Sequence, residues 1–348
     1  MKRLEIFLRH SVIKILKLLS RKSKSPSVKP DGNSKILIIR LNNLGDALVT
    51  TPLIRIIKKY TGAEIKVAAS KRNYFIFQNN KNISEILLYD KSFSGFFRLL
   101  KKINSNKFDC IIDAHTDTSG TVSLLTAFSK SPLKVCLQKE SAPICNLIAP
   151  YNAEDGSHII EMICRIADVL KINYSSEDIK MEYDFLPASD DKVKYFLSSS
   201  YQTSSKLIGI NFFAGSDARF WGISNYQNLI SYLTEKGFKV IPISDVRNLD
   251  LAAKICPDEK IFCGSFDELA ALVSKLDYLI TPDTSLVHLC SIYNIPSFIL
   301  FVKYKLKGSL WTPYKTKYES IITEEPELKY IPYKDAKTHI INFLGINE

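Results

Sequence analysis

Three stretches of this chain combine the residue types from which chemistry is built. The first, Arg40-Leu41-Asn42-Asn43-Leu44-Gly45-Asp46-Ala47, leads from an apolar run into a helix start. Its carboxylate, Asp46, has two readings: a helix cap, or a base that takes a proton from a substrate hydroxyl. A single glycine is too few for the GxGxxG turn of a dinucleotide site, and no Walker-type lysine follows. The second, Asn211 to Gly222, contains Ala214-Gly215-Ser216 and then Arg219, small residues ahead of a cation that suit a phosphate cradle. Within it Trp221, followed by Tyr226, Leu229 and Ile230, reads as core packing. The third, Thr281-Pro282-Asp283-Thr284-Ser285-Leu286-Val287-His288, opens a helix whose N–H groups and hydroxyls suit a diphosphate without a metal. Taken singly, Asp283 reads equally as a cap and His288 as a core histidine.

These stretches need elements to hold them. Apolar runs of strand length occur at 36–40, 65–69, 85–89 and 110–114, separated by segments long enough for helices. The pattern restarts at 207–212, 238–243, 260–262, 277–281 and 297–301. Strands alternating with helices predict parallel sheets, here in two Rossmann-like α/β halves whose strand C-terminal ends turn toward a shared central cleft. The predicted organisation is an arm and tether over 1–34, a first domain over 35–188, a linker over 189–206 and a second domain over 207–348. The last helix is a candidate to pack back on the first domain.

Charge is unevenly placed. The 348 residues carry a formal net charge of +11, and residues 1–30 hold nine Lys/Arg against Glu5 alone, so only +3 belongs to the rest. That body lacks the electrostatic footprint of a nucleic-acid binder. Within the arm, Leu4, Phe7, Leu8, Val12, Ile15, Leu16, Leu18 and Leu19 share one helical face; Arg3, Arg9, Lys14 and Lys17 share the other, along with Ile6 and Ile13. Such a helix is too interrupted by cations to cross a bilayer but suits an anionic membrane surface, engaged through residues 2–24. Packing on the protein's own body is the competing reading. Seven widely spaced cysteines, with no CxxC and no zinc-ligand spacing, read as buried apolar groups in a reducing compartment.

In combination, Ile36-Leu37-Ile38-Ile39-Arg40 with Leu44-Gly45-Asp46-Ala47 and Thr50-Thr51-Pro52 resembles the opening of glycosyltransferase family 9, the ADP-heptose:lipopolysaccharide heptosyltransferases. Gly264 with Glu268-Leu269, then Asp283-Thr284, His288-Leu289 and Pro296, is similar to that family's C-terminal signature, and Phe108 to His115 and His158 to Glu161 also resemble it. The resemblance spans roughly residues 35–315. It implies a GT-B fold and a metal-independent, cofactor-free, inverting transfer from a nucleotide sugar to a lipid-linked glycan at the inner face of the cytoplasmic membrane. It further implies Asp46 as general base. On the donor side it implies Arg219, Asp283, Thr284 and His288; the phosphate-cradle reading adds Ala214, Gly215 and Ser216, the hydroxyl of Ser285 completes the set, and Asp245 is a candidate for the ribose. Asn43, Gly45 and His115 are candidates for the acceptor side. The family often has Gly where Ser285 stands, and a glycine-rich turn where this chain has Ile241-Pro242-Ile243-Ser244-Asp245. Another nucleotide sugar as donor, or a non-catalytic nucleotide-binding protein of the same fold, are the competing functions; a dehydrogenase is disfavoured by the missing glycine fingerprint.

Overall fold

The computed structural model describes residues 13–20, 29–152, 154–200, 205–257, 260–304 and 311–346. The chain divides into two compact units, Met1–Tyr183 and Asp184–Glu348. The first is built on six parallel strands: β1 Lys35–Arg40, β2 Glu64–Ser70, β3 Glu85–Tyr89, β4 Cys110–Asp113, β5 Leu133–Leu137 and β6 Leu147–Ala149. Their order is β3-β2-β1-β4-β5-β6. Ile38 of β1 pairs with Val67 of β2 on one side and Ile112 of β4 on the other. Ile36 to Ile39 are all fully buried, which explains their unbroken apolar run: helices cover both faces of a parallel sheet, so no residue of a central strand meets water. The chain leaves β1 for opposite halves of the sheet, so the loops after β1 and β4 flank the switch point where such folds place their ligands.

The second unit holds β7 Leu207–Asn211, β8 Lys239–Ile243, β9 Tyr278–Pro282, β10 Ser297–Val302 and β11 Tyr318–Thr323 in the order β11-β10-β9-β7-β8, all parallel. Here the switch point lies between β7 and β9. Gly209 sits in the middle of β7, where an added Cβ would come within 2.5 Å of Leu276 Cδ1, so a side chain there would force that leucine to shift.

Several sequence expectations are corrected. The expected strand at 260–262 is a single bridge, Phe262 to Ile243. Phe262 N donates to Pro242 O (2.8 Å) and Ser244 N to Phe262 O (3.0 Å), but Pro242 has no N–H with which to extend the ladder toward Lys260. Strands β5, β6 and β11 are additions: β6 is only three residues long, and β11 is a largely exposed edge. The division falls after Tyr183, ahead of the linker expected over 189–206. Most of that stretch belongs to the helix Pro187–Ser200, which is held to the second unit by Lys192–Glu268 (2.6 Å) and Lys275–Asp190 (2.5 Å). The last helix, Tyr333–Leu344, lies in the second unit's own core, where Phe343 meets Tyr278 and Phe298.

Of the arm, residues 13–19 are helical, while 1–12 and 21–28 lie outside the described residues. Leu16 is buried against Leu124, Ala127 and Ile144, and Ser20 Oγ donates to Ile144 O (3.0 Å). Ile13, assigned above to the basic face, is buried, whereas Ile15, Leu18 and Leu19 are exposed. The described end of the helix therefore rests on the first unit, and its apolar face is rotated from the one expected.

Candidate active site

In the first unit Arg40, the last residue of β1, is completely buried. A buried guanidinium requires partners for its donors. Nε donates to Asp46 O (2.8 Å), Nη2 to Asp46 Oδ1 (2.9 Å) and Nη1 to Ala114 O. Burial pulls the Arg40 guanidinium down from its ordinary value, opposed by Asp46 and then Asp113. Asp46 lies in the first turn of the helix Leu44–Leu48, and its Oδ2 accepts from Asn43 N (3.3 Å). The capping and ion-pair roles thus coexist in one carboxylate, whose side chain keeps 11% exposure at the C-terminal edge of the sheet. That opening is what a base requires to reach a substrate hydroxyl.

Behind this pair lies a buried cluster that the sequence reading did not assemble. Asp113 Oδ1 faces His115 Nδ1 (2.9 Å) and accepts from His115 N (3.0 Å), while Oδ2 pairs with Lys139 Nζ (2.8 Å). Lys139 also donates to His115 O (2.7 Å), and His115 Nε2 accepts from Leu41 N (3.1 Å). These contacts assign the proton to Nδ1. Burial pushes the Asp113 carboxyl up, but Lys139 and His115 outweigh it and hold it well below the usual carboxylate range. Burial pulls the His115 imidazole below its ordinary value, against the attraction of Asp113. His115, expected at the acceptor, is completely buried with both ring nitrogens engaged; it anchors the β1 loop that carries Asn43, Gly45 and Asp46. Arg40 carried its own signal, a cation ending a run of four buried aliphatics.

In the second unit Asn211, the last residue of β7, donates through Nδ2 to Thr281 Oγ1 (3.0 Å) and Phe213 O (3.0 Å), tying together the loops after β7 and β9. Ala214, Gly215 and Ser216 lead into the short turn Asp217–Arg219, and a Cβ on Gly215 would meet nothing within 4 Å. Arg219 Nη2 pairs with Asp283 Oδ2 (2.9 Å), and Nη1 donates to Asp283 O (2.7 Å). The two sequence-predicted groups are therefore brought together. Burial pushes the Asp283 carboxyl up against the pull of Arg219. Thr284 Oγ1 accepts from Leu286 N (3.1 Å), and Ser285 leads into the helix Leu286–Tyr293. His288, in the first turn of that helix, is buried beside Trp311, with ring centres 6.1 Å apart. Asp245 accepts from Arg247 N (2.9 Å) and Asn248 Nδ2 (3.1 Å), which engages its carboxylate within its own turn. Trp221 is fully buried, donating to Ile331 O (2.9 Å), as the packing reading expects.

Residues 96–340 match the model of glycosyltransferase family 9 (heptosyltransferase). The chain belongs to glycosyltransferase family 9. It is 24% identical over 277 residues to lipopolysaccharide heptosyltransferase 3 of Escherichia coli, covering 74% of this chain and 80% of that protein. It is 22% identical over 275 residues to the lipopolysaccharide core heptosyltransferase OpsX of Haemophilus influenzae, covering 75% and 77%. Among solved structures, a family 9 glycosyltransferase from Veillonella parvula superposes with a TM-score of 0.78 at 18% identity over 92% of this chain and all of that one. The E. coli heptosyltransferase WaaC with ADP gives 0.69 at 14% identity, covering 89% and 99%. These likenesses fix the fold as that of the GT-B heptosyltransferases, and family membership makes the protein a glycosyltransferase. The family match starts at residue 96, beyond Asp46, so the role of that carboxylate rests on its own geometry.

Proposed function

We propose that this glycosyltransferase moves heptose from ADP-heptose to a lipopolysaccharide core or another lipid-linked glycan, with inversion and without a metal. The observation that carries the reading is a partly open carboxylate, Asp46, at the switch point of a family 9 chain, oriented by a buried arginine 2.9 Å away. The acceptor hydroxyl gives its proton to an Asp46 carboxylate oxygen as its own oxygen bonds to the anomeric carbon. The bond from that carbon to the diphosphate breaks on the opposite face, and the nucleotide leaves with the electron pair. Arg219 and the loop over Asp283–Ser285 are suited to meet the charge that develops there. Such stabilisation is commonly the largest catalytic term.

The relatives named lipopolysaccharide heptosyltransferases support the donor and acceptor classes. For the arm we place Lys14 and Lys17 with exposed Ile15, Leu18 and Leu19 against the anionic inner leaflet, on the cytoplasmic side. Among the described residues no helix is long and apolar enough to cross a membrane. The test is incubation with a panel of nucleotide sugars and a lipopolysaccharide acceptor in excess EDTA, following ADP or UDP release with Asp46→Ala as control. ADP release from ADP-heptose that depends on both acceptor and Asp46 supports the reading; release from another donor, or strict dependence on a divalent cation, contradicts it. Deleting residues 2–24 should move the protein from membrane to soluble fractions.

A further inference from the structure

Two phenylalanines of the first unit face solvent side by side. Phe93 and Phe97 lie one turn apart on the helix Phe93–Asn106, are 84% and 53% exposed, and meet edge to face with ring centres 5.0 Å apart. The inner face of that helix is already occupied: Leu99 and Ile103 are buried against Leu37 and Ile39 of β1 and Leu87 of β3. The exposed pair therefore adds nothing to the core, and a paired apolar patch outside the core marks a contact surface.

The surroundings of the pair are basic. Residues 91–107 contain five cations, Lys91, Arg98, Lys101, Lys102 and Lys107, and no acid. Arg98 pairs with Asp90 and Lys102 with Glu85 (2.6 Å), whereas Lys101 and Lys107 have no carboxylate partner among the described residues. Asn104 extends the face sideways: its Nδ2 donates to Phe128 O (3.3 Å) and its Oδ1 accepts from Lys130 N (2.8 Å), which sets exposed Phe128 and Lys130 beside the helix. The arm lies on this side of the sheet as well. Val122 and Leu125 of the helix Gly120–Phe128 join Leu99 and Ile103 over Leu37 and Ile39, and Leu16 of the arm packs on Leu124 and Ala127 of that same helix.

We infer that the helix Phe93–Asn106 is a second membrane contact, in which the Phe93 and Phe97 rings enter the headgroup boundary of an anionic bilayer and Lys101, Lys107 and Lys130 meet its phosphates. A rim of one sign suits the uniform negative charge of a lipid surface, to which each nearby cation adds attraction. A patch shared between two copies of this chain would instead set these cations against one another. The arm and this helix hold one body at two places, so their affinities multiply and loss of either releases most of the protein. The inference rests on the placement proposed for the arm only for the choice of leaflet.

The test is sedimentation of the full-length protein with vesicles of phosphatidylethanolamine and phosphatidylglycerol, with phosphatidylcholine vesicles as the neutral control. Three variants of the full chain are compared with wild type: Phe93→Ser/Phe97→Ser and Lys101→Ala/Lys130→Ala on the new face, and Leu18→Ser/Leu19→Ser in the arm. All six side chains are exposed and none belongs to the site around Asp46, so thermal midpoints and transfer to a deacylated, water-soluble acceptor should stay unchanged. The phenylalanine variant should partition about 10–100-fold less onto anionic vesicles, the effect of withdrawing two partly inserted rings. The lysine variant should lose about tenfold on anionic vesicles at low salt and less than about twofold on neutral ones. Unchanged partitioning of the phenylalanine variant, or a wild type that sediments with neither vesicle, would overturn the contact. So would a wild-type dimer in solution that the phenylalanine variant converts to monomer, because the pair would then lie between two copies. Release by the arm variant alone keeps the arm as anchor and removes the helix; release by the phenylalanine variant alone sustains the helix contact and removes that of the arm.

Discussion

Lys139→Met probes the buried cluster that anchors the Asp46 loop. In the wild type Lys139 Nζ lies 2.8 Å from Asp113 Oδ2, with the two side chains only 4% and 5% exposed. Methionine fills a similar volume but leaves Asp113 with His115 alone. Breaking a buried ion pair from one side costs about 3–5 kcal/mol. In a unit spanning Met1–Tyr183, each kcal/mol moves the midpoint by roughly 2–4 °C, so the first unit should melt roughly 6–20 °C lower. The loss should also depend on pH. Lys139 helps pull the His115 imidazole down, so its removal raises that value and lets a protonated imidazole take the place of the missing cation. The deficit should therefore be larger at pH 8 than at pH 6. Both tryptophans, Trp221 and Trp311, belong to the second unit, so their fluorescence follows that unit while circular dichroism follows both. Adding Asp113→Asn to Lys139→Met should recover part of the stability, since neither charge then remains unpaired. The first-unit transition, followed by circular dichroism, should carry the loss while the tryptophan midpoint stays in place; a first-unit transition within 2 °C of wild type at pH 8 would refute the reasoning that this cluster is an energetically coupled, dry ion pair.

Other outcomes follow from the same geometry. His115 is held neutral by burial, with a folded-state value below the unfolded one, so its contribution is complete above about pH 6.5 and is lost as pH falls. Urea titrations from pH 7.5 to 5 should show that decline, and His115→Gln should flatten it. Gly209→Ala drives a methyl to 2.5 Å from Leu276 Cδ1 and should cost about 1–3 kcal/mol, read from tryptophan fluorescence during urea unfolding. Arg219→Ala removes the cation beside Asp283 and should raise the donor KM by about 10–100-fold, with acceptor binding unchanged, as measured by steady-state kinetics and calorimetry.

The central strands were legible because a buried parallel strand needs four or five consecutive apolar residues, as at Ile36–Ile39, and such runs have few other uses. What escaped was what lies at the periphery or is decided across the fold. β11 alternates too weakly to announce itself, and the bridge at Phe262 is limited by a proline in a different segment, Pro242. The loops at the two switch points were found because carboxylates, hydroxyls and a cation cluster in them. Their wiring was less visible: Lys139 and Asp113 are 26 residues apart, and a lysine seen alone gives no sign that it will be buried against an aspartate. The burial of His115 and His288 is not legible in sequence, because a histidine after a strand or in a helix start reads the same whether it faces solvent or core. The arm's register was misjudged for a similar reason: a helix with apolar residues nearly all round does not say which stripe its neighbour will take, and Leu124, Ala127 and Ile144 face Leu16.

The most direct test of the central claim is single-turnover transfer by Asp46→Asn, which keeps the size and most hydrogen-bonding geometry of the carboxylate and removes its capacity to accept a proton. With donor affinity within about twofold of wild type, the rate constant for transfer should fall by about 10²–10⁴-fold. A variant that binds donor normally and retains more than about a tenth of the wild-type rate would contradict Asp46 as the base.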